Sequence, residues 1–226
     1  MKIIAISDLH GNLNALEIFR KKIENHDFDL VICGGDLTNF YFNPKEIEKV
    51  QFYEEFVYNL KTPFIIVWGN RDFNRYLNTY FPLKLAFDLD KEDYFYENWH
   101  FTSNFNHIAS NSIFLTHSEI YIKNSNKPML QLWGDSHIPK ILYRPHICID
   151  LGFLYRDSIH GANPILGLYW IIEINSIENI TTKWYPLETS ENSIAFFVKK
   201  VGKNEFILPW YLKDNAEYIK KIINKQ

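Results

Sequence analysis

The sequence predicts an α/β protein in which a parallel sheet comes first and a strand-rich half follows. Three observations predict it: three continuous apolar runs near the N-terminus, segments of helical period between them, and a polar, Gly-flanked segment closing each run. With 226 residues, 46% apolar and 23% charged, the chain reads as one domain over 1–226. At this size roughly 70% of the unfolded surface can be buried, so neither disulfides nor structural zinc are needed. Cys33 and Cys148 form no CxxC pair and fit a reducing compartment. A net charge of −3 argues against general nucleic-acid binding. The N-terminal apolar run is too short for a secretory signal and no window reaches a membrane span, so a cytoplasmic location is expected.

Residues 2–7 form the first apolar, β-branched run, ending at Ser7-Asp8. Asn12 can cap a helix whose apolar positions are Leu13, Leu16, Phe19 and Ile23. Leu30 to Cys33 is a second strand running into Gly34-Gly35-Asp36. Asn43-Pro44-Lys45-Glu46 then opens a helix with Ile47, Val50, Tyr53, Val57 and Leu60 on one face. A third strand, Phe64 to Trp68, ends at Gly69-Asn70. Beyond it come short strand candidates at Tyr94–Tyr96, His100–Thr102, 112–116, Leu130–Trp133, 146–151, 165–174, 180–185 and 194–201. From Pro209, Leu212, Ala216, Ile219 and Ile223 have the spacing of an amphipathic outer helix.

The carboxyl ends of parallel strands are where ligands bind, so the segments after the strands should converge. They are Asp8-Leu9-His10-Gly11-Asn12, Gly34-Gly35-Asp36 and Gly69-Asn70-Arg71-Asp72, joined later by His117 and Gly134-Asp135-Ser136-His137. Just past a strand end, the alternation Asp8-x-His10 is expected to put carboxylate and imidazole on one side of an extended backbone, and Asp135-x-His137 likewise. Carboxylates, an amide oxygen and imidazoles are ligands for hard and borderline divalent ions, and no thiolate stands among them. Seven such groups suit two ions roughly 3.5–4 Å apart better than one, a geometry that activates water and clamps a phosphoryl group.

In order, the motifs DxH, GD, GN, H and a final GxxH resemble those of the calcineurin-like metallophosphoesterase superfamily over residues 3 to about 150. The resemblance implies a four-layer α/β/β/α sandwich of two mixed sheets, with residues 151–226 completing or decorating it. It implies two divalent ions: Asp8, His10 and His137 on the first, Asp36 bridging, and Asn70, His117 and Asp135 on the second. Hydrolysis of a phosphorylated small molecule by a hydroxide held between the ions follows from the same likeness, with Asp36, Asn70 and Arg71 as catalytic residues. Where the family motif reads Gly-His-x-His, this chain has Asp135, which pushes the expected metal toward Mn²⁺, with Zn²⁺, Fe and Ni²⁺ open.

Arg71 stands where many members carry a His that protonates the leaving group. Arginine is no general acid near neutral pH, but its fork suits phosphate oxygens. The exchange therefore favours a leaving group stable as an anion, such as a pyrophosphate. Gly69-Asn70-Arg71-Asp72-Phe73 is also locally similar to the UDP-2,3-diacylglucosamine pyrophosphohydrolases, yet the 18 positions from His117 to Asp135 are too few for their helical lid. A protein-binding scaffold, the role of the retromer subunit of this fold, is the alternative, and a nuclease is the third reading.

His26, His100, His107, His146 and His160 lack partners at ligand spacing and read as surface or core groups. Arg144 and Arg156 flank the strand after the last motif and suit either a substrate phosphate or an exposed ion pair. Cys33 reads as a small buried hydrophobe. Aromatic residues make up 17% of the chain, and those near 40–42 and 73–105 border the expected site, where they could pack or stack.

Overall fold

The computed structural model describes residues 1–122, 127–143, 146–156, 165–187, 199–200 and 205–207. The first apolar run forms β1 (Lys2–Ile6), the second β2 (Leu30–Cys33) and the third β3 (Phe64–Ile66), all parallel. Their apolar residues alternate between two interiors. Ile4, Ile6, Val31, Cys33, Phe64 and Ile66 face α1 (Leu13–Ile23) and α2 (Val50–Leu60). Ile3, Ala5, Leu30, Ile32 and Ile65 face the second sheet. Burial on both sides is why these strands read as unbroken apolar runs.

The first sheet has six strands. β6 (Phe87–Asp88) extends it beside β3, and the hairpin β15 (Leu168–Ser176) and β16 (Asn179–Pro186) lies antiparallel on the other edge beside β1. The second sheet, of eight strands, is also mixed. Its parallel part comprises β8 (Trp99–Thr102), β9 (Ser112–Leu115), β10 (Leu130–Trp133) and β12 (Ile147–Asp150). Antiparallel β7 (Tyr94–Tyr96) closes one edge, and β11 (Lys140–Tyr143), β18 (Glu205–Ile207) and β17 (Lys199–Lys200) the other. Two small antiparallel pairs stand apart: β4 (Phe73–Asn74) with β5 (Thr79–Tyr80), and β13 (Tyr155–Arg156) with β14 (Ile165–Leu166). The two mixed sheets packed face to face are the sandwich that the family resemblance implies. Among the described residues both α-helices cover the first sheet. The helix expected from Pro209, most of the strand expected at 194–201, Arg144 and His160 lie outside the described residues.

Asn12 caps α1 as expected, its side chain accepting from the Ala15 N–H at 2.8 Å. The second helix differs. Asn43 caps a 3₁₀ turn over Pro44–Lys49, and the α-helix begins only at Val50. Three residues per turn shift the phase, so Ile47 is left 45% exposed while Glu46 and Phe56 are buried. The expected strand at 165–174 is also divided, with Gly167 between β14 and β15. No helix among the described residues is long and apolar enough to cross a membrane.

Candidate metal centre

The five polar segments do meet, at the carboxyl ends of β1, β2 and β3 in one sheet and of β9 and β10 in the other. Backbone bonds lace them together. The Asp8 N–H donates to Gly35 O, and the Leu9 and His10 N–H groups to Asp36 O, each at 3.0 Å; the Gly134 N–H donates to His117 O at 2.9 Å. The two sheets approach so closely that a Cβ on Gly134 would lie 2.5 Å from Asp8 Oδ2, and within the first sheet a Cβ on Gly69 would collide with the Asp36 carboxylate. These two glycines are required by proximity.

The strand alternation expected to join carboxylate and imidazole is absent. Asp8 and His10 are not on an extended backbone; both are left-handed (φ 53° and 52°), and so are Asp135 and His137 (φ 65° and 54°). Asp36 shares the conformation at φ 50°. The side chains converge through tight left-handed turns rather than strand alternation. Asp and His tolerate this region better than most residues, and backbone of this kind concentrates at functional sites.

Two donor clusters result, and Asp8 belongs to both. In the first, Asp8, His10 and His137 are all buried. His10 Nε2 lies 3.0 Å from His137 Nε2, which lies 3.1 Å from Asp8 Oδ1. In the second, Asp8 and Asp36 join His117. His117 Nδ1 donates to the Gly34 carbonyl at 2.8 Å, which leaves Nε2 as the inward atom. That nitrogen faces three oxygens: Asn70 Oδ1 at 3.2 Å, Asp36 Oδ1 at 3.5 Å and Asp135 Oδ1 at 3.7 Å. Asn70 and Asp135 are exposed, and Ser118 donates to Asp135 at 2.9 Å. The resemblance implies Asp36 as the bridge; the carboxylate common to both clusters is Asp8.

The electrostatics ask for a cation. Burial, then the neighbouring Asp72, push the Asp36 carboxyl up to about 8. Burial pulls His117 down, but Asp36 and Asp8 outweigh it and raise its pKa. For Asp8 burial acts upward, and the hydrogen bond and charge of His137 overcome it to give a net lowering. An imidazole nitrogen among three oxygens and two Nε2 atoms aimed at each other are satisfied together by positive charge, so the donor set fits divalent ions.

Arg71 does not extend into solvent. Its N–H donates to Asp36 Oδ1 at 2.7 Å, its Nε lies 3.9 Å from Asp36 Oδ2, and the residue is 7% exposed. Two carboxylates that our reading of the motifs left without a role also shape the site. Asp72, fully buried, accepts from the Leu37, Thr38 and Gly69 N–H groups and from the Thr38 hydroxyl, tying the second motif to the third. Asp150, also fully buried, accepts from Ser136 Oγ and holds the last motif's loop; burial pushes its carboxyl up to about 8. The available signal was a charged residue directly after Asn70-Arg71 and another closing an apolar strand. A cavity of about 570 Å³ lined by Lys2, Arg20, His26, Asp29, Lys61 and Thr62 lies at the opposite end of the parallel strands and belongs to no motif.

Known structures share this architecture. The protein TT1561 of Thermus thermophilus is 14% identical over 83% of this chain and 99% of that one, with a TM-score of 0.57. The Yfce phosphoesterase from E. coli is 16% identical over 83% and 100%, with a TM-score of 0.50. An archaeal phosphodiesterase is 16% identical over 82% and 100%, also at 0.50. At such identities the likeness concerns the fold. No curated protein matches the sequence. Residues 1–161, however, match the model of the calcineurin-like phosphoesterases. A match over most of the chain, with its motifs gathered at one place, leads to one conclusion: the chain belongs to the calcineurin-like phosphoesterase family, metal-dependent hydrolases of phosphoesters.

Proposed function

We propose that the protein hydrolyses a phosphoester with two divalent ions, Mn²⁺ foremost, and prefers a pyrophosphate or another substrate whose leaving group is stable as an anion. The observation that carries this is the pair of donor clusters sharing Asp8. Asp8, His10 and His137 would hold one ion; Asp36, Asn70, His117 and Asp135 would hold the other, with Asp36 as the bridge the family resemblance implies. Bound divalent ions supply a water nucleophile at neutral pH and positive charge for the phosphoryl oxygens.

The chain's own residues do the rest. Asp72 fixes the loops that carry Asp36 and Asn70, so the carboxylates need not reorganise during reaction. The Arg71 guanidinium offsets charge on Asp36 from below the site. Water oxygen bonds to phosphorus in line as the bond to the leaving oxygen breaks. His10, His117 and His137 all turn Nε2 into the clusters, while His26 lines the cavity at the opposite end of the strands, His100 and His107 sit with Asp93 and His146 with Gln131. Among the described residues no imidazole remains to protonate an alkoxide, which is why a phosphate leaving group is favoured.

The test is a hydrolysis panel with Mn²⁺, Zn²⁺ and Mg²⁺, comparing p-nitrophenyl esters with nucleoside diphosphate conjugates. Asp36→Asn should abolish turnover, and retained turnover would sink the mechanism. Hydrolysis of p-nitrophenyl phosphodiesters without any pyrophosphate cleavage would refute the leaving-group argument. Inactivity of the metal-loaded protein across the whole panel would point to a scaffold.

A further inference from the structure

A ladder of cations and aromatic rings leads outward from Asp36. Beyond Arg71, whose Nε lies 3.9 Å from the carboxylate, the guanidinium carbon sits 4.8 Å from the centre of the Phe42 ring. The Phe42 and Tyr41 rings meet edge-on at 4.8 Å, and the Arg75 guanidinium lies 5.0 Å over Tyr41. The inner rung, Arg71, is buried and Tyr41 partly so, while Phe42 is 56% exposed and Arg75 exposed.

The ladder stands on two loops that are tied to each other. The Tyr41 N–H donates to Arg71 O at 2.8 Å, the Asn74 amide to Phe40 O at 2.6 Å, and Arg71 Nη1 to Asn39 Oδ1 at 3.4 Å. Beside it the β4–β5 hairpin presents Tyr80, packed on Phe73 and Trp68, and the 91% exposed Tyr76.

Core packing does not account for this, because Phe42 and the outer guanidinium are open to solvent. Among the described residues no carboxylate pairs with Arg75. A guanidinium laid on a ring is held in place while its N–H edges stay available to an anion. An exposed ring offers its face to another flat ring. An acyl chain would be matched by aliphatic side chains, whereas alternating rings and fixed cations match a planar group that bears phosphate.

We propose that this ladder recognises the part of the substrate beyond the scissile phosphoryl group, and that it selects a nucleotide. The base stacks on the outward face of Phe42, and Arg75 takes the second phosphate. This rests on the phosphoesterase reading above and gives a substrate class to the leaving group inferred there.

Calorimetric titration of the Mn²⁺-loaded protein with AMP and with methylene-bridged ADP and pyrophosphate, whose P–C–P links resist hydrolysis, tests it by binding alone. Phe42→Ala should weaken the ADP analogue and AMP by about tenfold, as loss of one base–ring stack does, and leave the pyrophosphate analogue within about twofold. Arg75→Ala should weaken the ADP analogue by about tenfold and AMP far less, and Arg75→Lys should recover only part, since the ammonium keeps charge and loses the fork. Both side chains are exposed, and unchanged melting temperatures check that the variants fold. Failure of the wild type to bind the ADP analogue at millimolar concentration would overturn the proposal, as would equal weakening of all three ligands. If the wild type hydrolyses no phosphoester yet shows this binding pattern, the catalytic reading fails and the ladder stands; an active enzyme without that pattern fails the ladder alone.

Discussion

The two Asp-x-His loops use the same residues and nearly the same backbone, with opposite outcomes. In the first, Asp8 is fully buried and common to both clusters, and His10 lies beside it. In the second, His137 turns inward to Asp8 at 3.1 Å, while the Asp135 side chain is 48% exposed and held by Ser118. The left-handed turns cannot be what distinguishes them, since all four residues have φ between 52° and 65°. Surroundings decide. The first loop leaves β1 within the double-sided interior; the second leaves β10 where the loop after Gly134 opens to solvent. One donor cluster is therefore closed and rich in imidazole, the other open and rich in oxygen.

Substitutions can break that contrast. The largest effect is expected from His137→Ala, which should remove the tighter of two Mn²⁺ equivalents in calorimetry, whereas Asp135→Ala should weaken only the looser one. Equal losses would mean that the clusters are not distinct. Asp72→Asn should come next. It touches no donor directly, yet its bonds set the loops carrying Asp36 and Asn70, and supporting partners of this kind are worth about 10–100-fold in metal affinity. The drop should fall on the open cluster, read by the same titration.

The smallest effect is on stability. The Asp150 carboxyl has its pKa pushed up to about 8, above the ordinary value of 3.8. Its contribution is complete below about pH 4 and is lost as pH rises through about 8, because the folded state must then ionise a buried acid. With chelator present, the melting temperature should fall between pH 5 and 8. Asp150→Asn should flatten that fall, by about 2–4 °C for each kcal/mol involved. An unchanged slope would show that Asp150 does not carry it.

Much of this was readable from sequence, for identifiable reasons. The runs at 2–7, 30–33 and 64–68 are apolar because both faces of their sheet are covered, and Asn12 signals its helix locally. Any one Gly-flanked polar segment after a strand is most simply a turn; the motif residues announce themselves by occurring together at five successive strand ends. What was not readable depends on distant parts of the chain. The left-handed turns at Asp8 and Asp135 come from backbone bonding across loops, so an alternation argument could not find them. Ile47 has the spacing of a core position, but a 3₁₀ turn changes the phase. Arg71 reads as a fork open to substrate, yet the fold lays it against Asp36 and beneath Phe42. Asp72 and Asp150 are invisible as positioning groups because their donors, Thr38 and Gly69 or Ser136, are set beside them only by the fold. The aromatic excess divides as well. Phe19, Phe40, Phe56 and Phe64 fill the helix-side core, while Tyr41, Phe42, Tyr76 and Tyr80 stay at the surface.

If the reading is right, two unequal ion sites act together in hydrolysis. The most direct measurement is hydrolysis of bis-p-nitrophenyl phosphate by metal-stripped protein as Mn²⁺ is returned, with bound metal counted in parallel. No turnover is expected from the stripped protein, little as the closed cluster fills, and full activity only as a second equivalent binds. Turnover in excess chelator, or full activity at one bound ion, would contradict it.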